Sequence, residues 1–267
     1  MLRTRELRPW VLALTSAAVM AIVLAAPATP AAGSSSDLAV KGKKEIAMEL
    51  VSSAENSSLN WRAQYGYIQD IQDGRGYTAG IIGFCSGTGD MLVVVRMYTR
   101  LRAHNPLVRF LAALRRVNGT PSHRGLGLKF VAAWKRAAND PAFQDAQRTE
   151  RDLKYFNPAV ALAKSDGLRA LGQFAYYDAA VVHGFDGMRA VRARAITHAQ
   201  PPSSGGDEVT YLNAFLDERN VEMSKEASHS DLSRIESEQR KFLIEGNLDL
   251  NPPLRWSTYG DHYAILR

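Results

Sequence analysis

The sequence predicts a mainly helical protein of the α+β class, with one short strand-and-turn segment in its first third. Three observations carry this. Apolar residues recur at helical spacing in most segments between Lys43 and Ile244. The period changes between Trp61 and Phe84, where tyrosines, isoleucines and a threonine are bounded by Gly66, Gly74, Gly76, Gly80 and Gly83. One stretch, Gly167 to Val182, is apolar on nearly all sides and is expected to be the buried central helix. A chain of 267 residues with 46% hydrophobic content carries enough apolar surface for a full core.

The ends come first. Arg3, Arg5 and Arg8 precede an almost wholly apolar run from Trp10 to Ala26, and small residues with prolines continue through Ala32. That order predicts a secretory signal peptide over residues 1–33, cleaved between Ala28 and Gly33. A membrane anchor is the alternative, since the run approaches spanning length; the Ala/Pro/Thr-rich stretch directly after it favours cleavage. Residues 34–44 read as a flexible leader and residues 45–267 as one folded domain, secreted and extracellular, with no membrane contact once the leader is removed. The only cysteine is Cys85, so an intramolecular disulfide is excluded and packing must hold the fold. Cys85 as a nucleophile is the weaker reading. No histidine stands near it in sequence, and a lone cysteine is more often a small buried hydrophobe.

With the three arginines and one glutamate of the leader removed, the formal charge of +6 becomes about +4. A basic protein ordinarily suggests nucleic acid or an anionic surface as partner. The distribution argues against nucleic acid: Glu45, Glu49, Glu55, Asp70, Asp73 and Asp90 fall between residues 45 and 90 against Arg62 and Arg75, while residues 91–120 hold six arginines and no acid.

Along the chain, Ile46, Ala47, Leu50, Val51 and Ala54 place a helix over residues 43–54, with Glu55 at its end. A carboxylate is disfavoured at the negative end of a helix dipole, a setting that suits a proton donor. Asp73 sits at the tip of the strand-and-turn segment in Asp73-Gly74-Arg75-Gly76, where Asp-Gly is equally a hairpin-turn signal, and Arg75 can keep it ionised. Residues 91–101 are an apolar helix with Thr88 or Asp90 as its N-cap; the Gly-x-Gly before it is too short for a dinucleotide fingerprint. Helices follow at 106–117, 130–138, 141–155 (charged, hence on the surface) and 158–163, then the central one, ended by His183-Gly184. Asp178 within that buried helix needs a cationic partner, and Arg219 and Arg234 on the helices at 210–224 and 231–244 are the candidates. Residues 198–206 are a loop by composition, and the tail 248–267 is expected to be irregular. No metal-ligand spacing, P-loop or repeat is present, and neither metal nor cofactor is expected.

Two carboxylates on opposite sides of a cleft, one protonated and one ionised, are what glycosidic hydrolysis requires. ELVSSAENSSLNW, DGRGYTAGIIGFCSGTGDM, DGLRALGQFAYYDA, TYLNAFLDER and GNLDLNPPLRW stand in this order. In these segments the chain resembles the Streptomyces-type chitosanases of glycoside hydrolase family 46, from about Lys43 to Tyr263. The resemblance implies a two-lobed, lysozyme-like fold with a small antiparallel sheet on one wall of the cleft. It implies an endo-acting, inverting hydrolase of β-1,4 links in chitosan, acting as a monomer. Glu55 would be the general acid, Asp73 the general base and Thr78 the holder of the attacking water, with the carboxylates ~6.5–9.5 Å apart. Tyr67, Arg75 and Asp90 would contact substrate, Asp90 through glucosamine ammonium groups. Asp178, Arg219 and Arg234 would form an ionic network behind the acid. The chain departs from the family pattern in a short 184–206 loop and in Ser230, where an acidic residue is common. A peptidoglycan muramidase and a non-catalytic carbohydrate-binding protein are the alternatives.

Overall fold

Helix α1, Lys41–Asn56, is anchored before it begins. The computed structural model describes residues 36–225 and 231–267, so the expected signal peptide and Ser230 lie outside the described residues. Within them Leu38 is fully buried, its N–H donating to Gln173 Oε1 at 2.9 Å. Lys43 tucks its ammonium onto the Asp249 and Leu250 carbonyls at 2.5 and 3.0 Å. The leader expected over 34–44 is therefore corrected from Leu38 onward: an apolar side chain and a buried lysine tie it to the body. Ile46, Ala47, Leu50 and Val51 face the core, and Ser57 ends α1 in the left-handed region.

A three-stranded antiparallel sheet follows, of β1 (Ile68–Asp70), β2 (Tyr77–Ala79) and β3 (Phe84–Cys85). Thr78 is the centre of its register, opposite Gln69 on one side and Cys85 on the other. The turn from β1 to β2 needs Gly76 at φ 75°, where an added Cβ would stand 2.4 Å from Ser86 Oγ. Helix α2, Asp90–Leu101, is capped by Gly89; Asp90 itself lies inside the helix, 4% exposed.

Short helices α3 (Leu111–Val117) and α4 (Gly127–Ala137) lead to α5, Pro141–Arg151, which Asp140 caps by accepting from Ala142 N. The expectation that this charged helix lies on the surface does not hold, because Gln147, Glu150 and Arg151 are buried. Gln147 donates to the Tyr65 carbonyl at 3.0 Å and accepts from Ile81 N at 3.2 Å, so its amide pins the sheet to the helix. A π-helical turn, Asp152–Phe156, then joins α5 to α6, Asn157–Ser165. The extra residue in such a turn rotates the next helical segment away from the direction a regular helix would give it.

Helix α7, Ala170–His198, packs against α6 and against α8, Glu208–Met223. Residues 170–180 are buried throughout. Gly184, at φ 73° and ψ 164°, kinks it where the sequence places the end of the central helix. The chain resumes as helix to His198, so most of residues 184–206 is helical and not loop. Another π turn, Arg234–Arg240, and the short α9, Lys241–Ile244, replace the regular helix expected at 231–244. The tail is not irregular. Strands β4 (Leu254–Thr258) and β5 (Asp261–Ile265) pair as a hairpin, and Trp256 fixes it to α1 through Nε1 donating to Ser53 Oγ at 3.1 Å. No described helix is long and apolar enough to cross a membrane.

Gly184 occupies a backbone region that is essentially closed to residues with a Cβ. Gly184→Ala is expected to lower stability by about 1–3 kcal/mol in urea denaturation, from backbone strain alone, since nothing lies within 4 Å of the added methyl.

Candidate active site

The last turn of α1, the sheet, the first π turn, the α7 kink, the second π turn and the β4–β5 turn converge on one groove of about 540 Å³. Glu55, Arg75, Thr78, Asp90 and Arg234, all singled out from sequence, line it. A second hollow of about 660 Å³, bordered by Lys241, Ile244, Trp256 and Tyr263, holds none of them, so size does not pick the site.

Behind the groove lies a buried ionic network. Asp178, fully buried, accepts from Arg219 Nη2 at 2.6 Å, from Arg234 Nη2 at 2.6 Å and from Gln239 Nε2 at 2.8 Å. Burial alone would raise its pKa, but the charges of Arg234 and Arg219 outweigh it and hold the carboxyl well below the usual range. Arg234 spans the network and the groove: its Nη1 donates to Glu55 Oε1 at 2.5 Å. The π turn explains the spacing. Arg234, Glu238 and Gln239 project inward together because about one more residue per turn separates successive inward positions than in an α-helix. Glu238 is pushed well above the usual range by burial and by the charge of Asp178, and accepts from Thr258 Oγ1 at 3.4 Å.

On the sheet side Asp73 accepts from Arg75 N at 2.9 Å and Arg75 Nε at 2.7 Å. Burial opposes the Arg75 charge, yet the hydrogen bond to Asp73 and the charges of Asp73 and Glu55 outweigh it and hold the guanidinium firmly charged. Arg75 thus feels both carboxylates. Thr78 is 9% exposed, its Oγ1 3.5 Å from Cys85 Sγ. Burial pushes the Cys85 thiol up, with Asp90 and Asp73 adding to it, which removes the conditions a thiolate nucleophile needs. Asp90 accepts from Thr88 Oγ1 at 2.7 Å and Cys85 N at 2.9 Å, with the Lys154 ammonium at 3.8 Å. Tyr67 does not line the groove; it stands at the head of β1 with its hydroxyl donating to Gln69 Oε1 at 3.4 Å. Among the described residues, no cluster of three or more His, Cys, Asp or Glu is placed to hold a metal ion.

Comparison with known proteins identifies the family. Residues 49–254 match the model of glycosyl hydrolase family 46. The chain is 63% identical over 230 residues to a chitosanase of Streptomyces sp. strain N174, covering 84% of this chain and 82% of that one. The chain belongs to this family. It is 36% identical over 237 residues to a Bacillus subtilis strain 168 chitosanase, covering 83% of this chain and 84% of that one. Among solved structures, the chitosanase OU01 co-crystallised with substrate superposes with a TM-score of 0.84 at 56% identity, covering 86% of this chain and 99% of that one. The Gynuella sunshinyii family 46 chitosanase in complex with chitotetraose gives 0.77 at 36%, covering 83% and 96%. The fold of this glycoside hydrolase is accordingly the two-lobed, lysozyme-like one, mainly helical with small antiparallel sheets.

The sequence did not point to Lys154, Tyr155, His183, Glu222 or Tyr259, which also line the hydrolase's groove. Tyr155 donates to Asp90 Oδ2 at 3.3 Å, and only the π turn brings it there. For His183, its place beside Gly184 was the available signal. Its Nε2 is buried with no hydrogen-bond partner among the described residues.

Removing one member of a buried charge group leaves the others uncompensated. Asp178→Ala is expected to cost about 3–5 kcal/mol in chemical denaturation, because Arg219 and Arg234 are then buried without their shared anion. Burial and the nearby Arg219 charge push the His183 pKa down to about 4. The unfolded chain takes up this proton near 6.5, the folded one only near 4, so the native state loses stability as pH falls through that window. His183→Gln is expected to flatten this loss in unfolding curves measured at either end of the window.

Proposed function

We propose that this family 46 hydrolase is a secreted, endo-acting chitosanase that cleaves β-1,4 links in chitosan with inversion at the anomeric carbon. The observation that carries the reading is Glu55, held by Arg234 in the same groove that Arg75, the partner of Asp73, lines. Arg234 occupies Oε1, so the transferable proton is carried on Oε2, from which it passes to the bridging oxygen as the bond breaks. Asp73, paired with Arg75 at 2.7 Å, takes a proton from a water held by the Thr78 hydroxyl on the other face of the sugar. An inverting reaction needs room for that water between base and sugar.

The substrate class follows from charge. A polycation avoids a basic protein unless carboxylates are gathered where it binds. Asp90 supports this: it already meets one primary ammonium, that of Lys154, and a glucosamine ammonium is the same group. Arg75 and, further along the sheet wall, Tyr67 extend the contact to sugar hydroxyls. The apolar N-terminal run and the six-arginine stretch away from the groove suit an extracellular monomer needing neither metal nor cofactor. Names of the similar proteins, four of them chitosanases, favour the same substrate.

Glu55→Gln and Asp73→Asn are each expected to lower kcat on chitosan by about 10²–10⁴-fold while oligosaccharide binding persists. Near-normal turnover in either variant removes that residue from its role. Anomeric proton signals recorded early in the reaction should show the α-product first; an initial β-product overturns inversion. Faster turnover of bacterial cell walls than of chitosan would make the protein a muramidase instead.

A further inference from the structure

The β4–β5 hairpin turns on Tyr259 and Gly260, the two residues between the paired Thr258 and Asp261. Both have positive φ, 52° and 88°. A two-residue hairpin of this kind takes Asn, Asp or Gly at its first position without strain. A bulky aromatic residue there is an outlier that the surrounding structure must hold in place, and such outliers cluster at functional sites.

The surroundings do hold it. Tyr259 N donates to Ser233 Oγ at 2.8 Å, one residue before Arg234, and Thr258 is bonded to Glu238 in the same π turn. Turn and guanidinium are therefore fixed to one another. The Tyr259 side chain lines the groove with Glu55 and Arg234, and its phenol lies in the field of the Arg234 guanidinium. Arg234 Nε, Nη1 and Nη2 donate to Asp178 and Glu55, which leaves each Nη a second N–H to give. We propose that Tyr259 is a positioning residue: its phenol oxygen accepts from Arg234 and holds the guanidinium at the orientation that presents Glu55 to the scissile bond. The strained turn is kept because a residue that suits it, such as Asn, does not reach Arg234. Burial pushes the Tyr259 phenol above its ordinary range, and Arg234 does not overcome this, so the group stays neutral wherever the enzyme works. The charged and titratable groups facing this corner are Glu55, Arg234 and Asp178, with His183 and Glu222 from α7 and α8.

The inference rests on Glu55 as the acid, so Glu55→Gln is assayed alongside. Tyr259→Phe keeps ring and turn and loses the hydroxyl; kcat on chitosan is expected to fall about tenfold at unchanged KM. Tyr259→Asn is expected to lose kcat likewise while melting about 2–4 °C higher, since the turn strain is relieved. Wild-type kcat in Tyr259→Phe overturns the proposal, as does a rise in KM alone, which would make Tyr259 a sugar contact. Turnover surviving in Glu55→Gln would instead sink the reading of the acid.

Discussion

The one constraint on which the structure depends is the burial of Asp178 between two arginines. A carboxylate removed from water costs several kcal/mol unless its charge and lone pairs are met, and here Arg219, Arg234 and Gln239 meet them all. The partners come from α8 and from the second π turn, so satisfying one buried charge fixes two distant segments of chain relative to α7. Because Arg234 has donors left over, the same requirement sets the position of the Glu55 carboxylate. The stability of the core and the geometry of the groove are thus parts of a single arrangement.

The groove itself is built where regular structure is interrupted. Two π turns, a glycine kink and a strained hairpin turn supply Lys154, Tyr155, Arg234, His183 and Tyr259. Each interruption re-aims side chains that a straight helix or an ordinary turn would send elsewhere. The rigid elements behind them, α1 and α7 above all, keep those directions fixed. Charge is handled in the same local way: Asp73 is met by Arg75, Asp90 by Lys154 and Tyr155, Glu55 by Arg234. On the proposed reading, a polycationic chain enters a groove whose carboxylates are already held in place, so little reorganisation accompanies binding.

Much of this is legible in the order of residues and some is not. The helical spacing of Ile46, Leu50 and Val51 carries α1 because local amphipathic pattern and final burial coincide there. The partnership of Asp178 with arginines follows from burial physics, since a charge in an apolar helix demands it. Residues 254–265 read as irregular although Leu254, Trp256 and Thr258 alternate, because Tyr-Gly is not a usual hairpin signal and the turn is held by Ser233 and not by its own preference. Helix α5 reads as a surface helix because its charges outnumber its apolar residues. Its buried Gln147 is satisfied by Tyr65 and Ile81, 82 and 66 residues away in sequence.

Sequence alone determined the helical class, the position of the strand-and-turn segment, the place of Glu55 at the end of α1 and of Asp73 in a Gly-rich turn, and the need for a buried counter-charge. All of these depend on short-range spacing or on the cost of burying a charge. Tertiary structure alone decided that Arg234 serves Asp178 and Glu55 together, that Lys154 and Tyr155 turn toward Asp90, and that Tyr259 reaches the groove. Those outcomes depend on π turns and on long-range hydrogen bonds, whose energies arise only once the partners have been brought together.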